Sequence, residues 1–415
     1  MYTSDRDVVV VGGGIAGGAL ATQLARAGID VLLLERQRVH QDRVRGEFLA
    51  PWGVAEAMRS DLFDILSAAD GSAVVTRYVP YDEVFSTAEA EARAVDLAGL
   101  LPGVPGALDV SHPAACSALV VSAEVAGAEV VRGVTGVAVS ASLRPAVSFS
   151  RNGDAHRVSC RLAVGADGRS SQVRRQLGIA LEQTAVRIFG TGLLVDGIED
   201  WPADTATLGT AADVHFFVLP RQGGCARLYL LYSADQSRRF SGDRDVHSFL
   251  ETFRLGALPA GGDELATSRP AGPCAAYPMN DTWTGEPFVP GAVLVGDAAG
   301  YNDPIIGQGL AIALRDARTV AELLIGGADW SPAALRPYAV ERAERMRRLR
   351  FAAALATDLR ATFTSDARRR RRRFYDLAAA GDEITLPIGA TLVGPDLVPT
   401  HAFEPQAAER LLSLR

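Results

Sequence analysis

The sequence predicts an α/β fold: a parallel sheet assembled from both ends of the chain, an antiparallel β insertion between them, and a helical C-terminal region. Three observations predict it. Near the N-terminus, two short apolar runs, Val8–Val11 and Val31–Leu34, flank a segment with helical period. From Thr191 to Tyr277, short β-type runs alternate with turn residues. Near Ala292 the strand–helix alternation returns, and residues 346–415 read as helical and arginine-rich.

The elements follow in order. Val8–Val11 reads as a buried strand. The next segment places Leu20, Leu24 and Ala27 on one helix face, with Gly28 as C-cap. Val31–Leu34 is the second strand. Val214–Leu219 and Arg227–Tyr232, joined by Pro220–Gly224, read as a hairpin. Gly291–Val295 is a further strand, and Leu310–Leu324 is a helix with Leu310, Leu314, Ala317, Val320 and Leu324 along one stripe.

Composition bounds the function. The 415 residues are 48% hydrophobic and 22% charged, which excludes a mainly disordered chain. The formal net charge of -7 argues against general nucleic-acid binding. All 42 basic residues are arginines; with no lysine, no mechanism can rest on a side-chain amine. No apolar run reaches the ~18 residues of a bilayer span. The stretch Val8–Leu34 is broken by glycines, follows Asp5 and Asp7 and lacks a cleavage signature, so it is no signal peptide. We expect a cytoplasmic protein with no integral membrane segment. Cys116, Cys160, Cys225 and Cys274 lie far apart without a CxxC pair, and the six histidines form no ligand-spaced cluster, so neither metal site nor disulfide framework is expected.

Gly12-Gly13-Gly14-Ile15-Ala16-Gly17 is a G-x-G-x-x-G loop directly after a strand and at the start of a helix. Gly12 allows the tight turn, Gly14 lets a pyrophosphate approach the backbone, and Gly17 lets helix and strand pack closely. Ile15 and Ala16 belong to the helix start, whose free N–H groups favour phosphate. Glu35 ends the second strand where a carboxylate can accept bonds from a ribose diol, with Arg36 beside it. These residues make a Rossmann-like dinucleotide site.

Gly165-Ala166-Asp167-Gly168-Arg169-Ser170-Ser171-Gln172-Val173-Arg174 resembles the "DG" motif of flavin-dependent aromatic hydroxylases. Gly296-Asp297-Ala298-Ala299, then Pro304-Ile305-Ile306-Gly307-Gln308-Gly309, then Asp316-Ala317, resembles their "GD" motif. With all three motifs in order over Val8–Arg350, the chain resembles the group A, single-component FAD-dependent monooxygenases of the para-hydroxybenzoate hydroxylase type.

The resemblance implies FAD as cofactor, NADPH or NADH as transient co-substrate, O2 as oxidant source, and a flavin C4a-hydroperoxide that hydroxylates or epoxidises a bulky aromatic or polyene/isoprenoid molecule, in specialised metabolism. The flavin carries the chemistry, and no catalytic side chain is assigned. The implied organisation is a discontinuous FAD-binding domain (1–72, 106–183 and 278–345), a substrate-binding β-sheet domain (73–105 and 184–277) and a C-terminal helical region (346–415). Monomer and homodimer stay equally open.

Site residues follow from residue chemistry and resemblance together. Asp297 lies past the C-terminal edge of a strand, where it can accept from ribityl hydroxyls or cap a helix. Pro304 stiffens the approach to a helix, and Gly307, Gln308, Gly309 and Leu310 bring backbone N–H groups to the pyrimidine edge. Asp167 either serves nicotinamide or pyrophosphate binding, as the resemblance implies, or bonds its own backbone two residues on. Arg45 falls where the family carries an arginine near flavin or pyrophosphate; with Glu47 it reads alternatively as an exposed ion pair. Candidate pocket liners are Phe216, Phe217, Tyr229 and Tyr232, with Tyr301 and Asn302 at the flavin edge. His112 reads as a structural or capping residue.

Departures matter as well. Gly300 stands where the family often has His, and Ala311 where it often has Asn. Neither Gly190-x-Gly192 nor Gly307-x-Gly309 has a third glycine, so the nicotinamide nucleotide has no Rossmann site of its own. Arg45–Pro51 faintly resembles a segment of flavin halogenases and prenyl reductases. The missing lysine argues against halogenation, leaving an FAD-dependent reductase as one alternative and a non-catalytic flavin-bearing sensor as the other. The run Arg368–Arg373 reads as a solvated helix face or mobile segment, ahead of a membrane-surface or acidic-partner contact.

Overall fold

The N-terminal valines lie in β1 (Asp5–Val11), where branched side chains suit a strand covered on both faces. The computed structural model describes residues 5–44, 46–240 and 245–414. β1 leads into α1 (Ile15–Arg26) and β2 (Val31–Glu35). Gly28, at φ +79°, takes the left-handed turn just past the end of α1. Further along come β3 (Asp154–Gly165), β4 (Ile188–Asp196), β5 (Thr205–Ala211), β6 (Val214–Arg221), β7 (Cys225–Ser233), β8 (Ala292–Leu294), α2 (Gly309–Gly326), α3 (Pro332–Arg360), α4 (Ser365–Ala379) and α5 (Leu386–Val393).

The first sheet has the parallel order β8–β3–β1–β2, continued by the strand Glu129–Arg132. Strand alternation sends Val8 and Val10 into a core shared with Leu20 and Leu24 of α1 and Leu314 of α2. Val9 and Val11 face the other way, onto Val147 and Phe149 of a β-hairpin. Register decides what happens at the sheet edge. Val11 stands opposite both Leu34 and Gly165, and Gly165 stands opposite Leu294. The four strands therefore end within one residue of one another: Gly12, Ala166 and Val295 leave the sheet at one carboxyl edge, beside Glu35, the last residue of β2, which still pairs with Arg132.

The second sheet is mainly antiparallel and runs β4–β7–β6–β5, extended by Arg77–Pro80, which lies parallel to β5. The expected hairpin is β6–β7. It pairs beyond Leu219 and Arg227, because Pro220 and Arg221 still face Ala226 and Cys225 across the ladder. One face of this sheet carries an aromatic cluster in which Phe216 packs on Phe253, and Tyr232 on Phe240.

The C-terminal region is helical, as expected. Its arginine run is only in part the solvated helix face expected: Arg368, Arg369 and Arg373 are exposed, but Arg371 is buried. On α4 it lies across the acidic stretch that begins at Asp82. Arg371 is fully buried, 3.1 Å from Asp82 and 2.7 Å from Glu83. Arg368 and Arg372 reach Glu83 and Glu89 at 2.8 and 2.9 Å. Positions 368, 371, 372 and 375 share one helix face, and Tyr375 completes it with buried aromatic surface. Opposite charges across the interface explain why adjacent arginines are tolerated.

None of the four cysteines forms a disulfide; Cys116 and Cys160 are buried, Cys225 and Cys274 half-buried. Among the described residues, no helix is long and apolar enough to cross a membrane, and no group of His, Cys, Asp or Glu has metal-holding geometry. His112 opens the helix His112–Val125 behind its N-cap Ser111, a structural position.

Candidate functional site

The aligned strand ends bring the three sequence motifs into contact. Gly12 adopts φ +109°, and a Cβ there would meet the Ala166 carbonyl at 2.4 Å. A Cβ on Gly17 would meet the Gly12 carbonyl at 1.9 Å, and one on Gly296 would meet the Ala16 methyl at 3.0 Å. Gly14 differs: a Cβ there would meet nothing within 4 Å. The loop is thus closed behind and open in front of Gly14, ahead of the α1 N-terminus. This cradle fits a dinucleotide pyrophosphate.

Glu35 is buried, and its carboxylate accepts from Gly13 N at 2.7 Å and Gln37 N at 2.6 Å. It ties the glycine loop to β2 and keeps lone pairs that could accept further hydrogen bonds. Arg36 next to it is exposed, while Ile15 and Ala16 are buried in the first turn of α1. Arg45 lies outside the described residues. Asp167 does not bond its backbone two residues on. Its carboxylate accepts from Gln172 N at 2.7 Å, Val173 N at 3.1 Å and the Ser171 hydroxyl, anchoring the start of the helix Gln172–Gln176. The longer reach satisfies that helix's orphan N–H groups.

A buried ion network holds the Gly296–Gly300 loop. Gly296 N donates to Asp316 at 2.9 Å. Arg342 donates to Asp316 at 2.9 Å and to the carbonyls of Gly296, Ala299 and Gly300 at 3.2, 3.1 and 2.8 Å. Arg345 reaches the other Asp316 oxygen at 2.7 Å. Burial alone would raise the Asp316 carboxyl, but the two guanidinium groups hold it below its usual range. Asp297, carried by this loop, lines the cavity described below.

Past this loop, Asp303 caps the turn Pro304–Ile306 by accepting from Ile305 N at 3.0 Å. Burial, reinforced by Asp281, pushes its carboxyl up to about 7. Gly307 takes φ +64° and delivers the chain to Gly309, where α2 begins. The Gln308 side chain turns away from the loop surface. It accepts from the Trp52 indole at 2.6 Å and donates to the Thr391 carbonyl at 3.1 Å, so it pins α5 in place.

These segments open onto a cavity of about 650 Å³. Gly46, Glu47, Asp297 and Pro304–Leu310 form one part of its lining; Phe217, Tyr229, Tyr301 and Asn302 belong to it too. Phe216 and Tyr232 do not line it, because alternation along β6 and β7 turns them to the aromatic cluster on the other face. The Tyr301 hydroxyl donates to Asn280 at 3.3 Å, and the Arg169 guanidinium sits 3.8 Å over its ring. Asn302 is buried and donates to Asp281. The ceiling comes from the C-terminal helices, through Phe374 and Tyr375 of α4 and Ile388 and Leu392 of α5.

Glu47 is not part of an exposed pair. It is 1% exposed, and Arg227, itself fully buried, donates to it at 3.0 and 3.1 Å and to Asp42 at 2.7 Å. Arg221 is a second partner. Asp42 and Glu47 are thus both fastened to the second sheet. Nearby, burial and the Glu47 charge push the Asp109 carboxyl well above the usual range.

Comparison with known proteins decides the family. An FAD-binding-domain family model matches residues 5–352. The chain belongs to the FAD-binding domain family. It is an FAD-dependent oxidoreductase with the para-hydroxybenzoate hydroxylase-type fold. Relatives of the chain include a ubiquinone hydroxylase of Rhodospirillum rubrum, 26% identical over 80% of this chain and 76% of the relative. A menaquinone reductase of Mycobacterium tuberculosis is 29% identical over 77% of this chain and 76% of its own length. Among solved structures, the p-nitrophenol 4-monooxygenase PnpA of Pseudomonas putida superposes with a TM-score of 0.78 at 19% identity, covering 94% of this chain and 98% of that one.

Several residues that hold the candidate site together escaped the sequence reading. Arg342 and Arg345 sit on the buried stripe of α3 together with Leu335, Tyr338 and Leu349. Charges recurring at core positions of an amphipathic period are the signal that could have found them. No local pattern pairs Glu47 with Arg227, 180 positions away.

Proposed function

We propose that this protein is an NAD(P)H- and O2-dependent FAD monooxygenase that hydroxylates or epoxidises a bulky, ring- or isoprenoid-bearing small molecule. One observation carries the reading: a single, largely apolar cavity joins the Pro304–Leu310 segment to Phe217 and Tyr229 of the second sheet. Such a chamber suits a reaction in which the protein positions an apolar substrate and excludes water. The ubiquinone hydroxylase relative supports a substrate with a quinone-type ring.

In this reading Gly12, Gly14 and Gly17 hold the pyrophosphate, Glu35 the adenosine ribose, and Asp297 the ribityl chain. The backbone at Gly307–Leu310 faces the flavin ring, where the N-terminus of α2 favours negative charge. Reduced FAD, once bound, supplies oxygen activation. Arg342 and Asp316 keep the Gly296–Gly300 loop in one geometry. Phe217, Tyr229 and the ceiling helices orient the substrate and keep water out.

The test follows NADPH and NADH consumption in air while quinone-type aromatics and isoprenoids are screened. A compound that accelerates consumption and gains one oxygen atom supports the proposal. Turnover that proceeds without oxygen and yields a reduced product favours a reductase, the reading the menaquinone reductase relative supports.

A further inference from the structure

The cavity lining contains three arginines, and two have partners. Arg93 pairs with Asp376 at 2.9 Å, and Arg169 lies over the Tyr301 ring. Arg360 is different. It closes α3, is only 8% exposed and lines the cavity, yet its guanidinium makes no hydrogen bond or ion pair among the described residues, and its Nε is fully buried. The carboxylates Asp82 and Glu83 are engaged by Arg371. Around Arg360 stand Tyr78 and Tyr375, which share the lining and also feel the Asp82 charge, and His215, held neutral by burial and by Arg360 and Arg371. Its backbone is fixed, since the Thr210 hydroxyl donates to the Arg360 carbonyl at 2.8 Å.

A mostly buried guanidinium without hydrogen-bond partners gains from an anion that supplies them. Arginine's planar fork of donors matches a carboxylate. The same helix gives the scale. From Arg342, which grips the Gly296–Gly300 loop, to Arg360 is 18 residues of α3, or roughly 27 Å along a helix axis.

We propose that Arg360 is a substrate-binding residue that receives the carboxylate of an amphiphilic acid, whose apolar body extends along the cavity toward the Pro304–Leu310 segment. This rests on the monooxygenase reading and narrows its substrate class to apolar molecules with an acidic end.

The test is calorimetric binding to FAD-loaded protein at pH 8, using 1-pyrenebutyrate and its neutral counterpart 1-pyrenebutanol. The wild type binds the acid at least about tenfold tighter, the scale of a charge-assisted hydrogen bond. R360Q and R360M bring the two affinities within about twofold by lowering that of the acid alone, and R360K keeps part of the preference. Equal wild-type affinities overturn the proposal and leave the monooxygenase reading standing. So does an R360M variant that weakens acid and alcohol alike. If neither compound binds, both the proposal and the apolar-chamber reading fall. The wild-type acid-to-alcohol ratio decides even if R360M does not fold.

Discussion

Replacing Arg342 by methionine removes the side chain on which the Gly296–Gly300 loop hangs. Four hydrogen bonds go with it, three to loop carbonyls and one to Asp316. Breaking a buried ion pair costs about 3–5 kcal/mol. Here Asp316 keeps Arg345 at 2.7 Å and Gly296 N at 2.9 Å, so the lower end, about 3 kcal/mol, applies. Expressed on the loop's competent geometry, this loosens FAD binding by roughly 100-fold. The measurement is the FAD dissociation constant from the flavin fluorescence recovered on release, with a urea midpoint beside it. R345M leaves the three loop carbonyls bonded, so it lowers the midpoint with a smaller effect on FAD. FAD affinity within twofold of wild type in R342M would refute the assignment of the loop's geometry to this network. The same cluster has a pH signature. Asp316 is held below its ordinary 3.8, so its contribution is present above that value and disappears as pH falls through the lower folded value.

Three more outcomes are expected. G17A, whose methyl would sit 1.9 Å from the Gly12 carbonyl, lowers both the thermal midpoint and FAD content, whereas G14V melts like wild type without FAD and binds FAD at least tenfold more weakly. D303N gains stability relative to wild type between pH 5 and pH 8: the folded carboxyl titrates near 7, so the stabilisation from its proton is complete at low pH and lost as pH rises through 7, and parallel urea curves at the two pH values check this. R371M strips the buried partner from Asp82 and destabilises the α4 interface by about 3 kcal/mol, read as faster proteolysis within α4, with part of the loss restored by adding D82N.

The candidate cofactor edge was legible as a local pattern because its chemistry is local. The Gly12–Gly17 loop, Glu35 and the Gly296–Leu310 stretch each carry their signal within a few residues of a strand or helix boundary. Liners on the second sheet were half legible. Two-residue alternation limits each strand to two faces, but only the packing of Phe253 and Phe240 shows which face Phe216 and Tyr232 take. Only the exposed side of the arginine run was legible; its buried face was missed because charge complementarity with Asp82–Glu89 joins segments nearly 300 positions apart. Asp316 was visible in its motif, yet its partners Arg342 and Arg345 come from the next helix. The ceiling over the cavity had no sequence signal, since α4 and α5 reach it by tertiary packing.

The single long helix α3 has a consequence for how its length can vary. One residue inserted between Arg345 and Arg360 would advance everything beyond it by about 1.5 Å and swing it by about 100°. The grip on the Gly296–Gly300 loop would survive, while the guanidinium at the far end would point out of the chamber. Within this rod, changes of side chain are small adjustments, but a change of helical phase uncouples one end from the other.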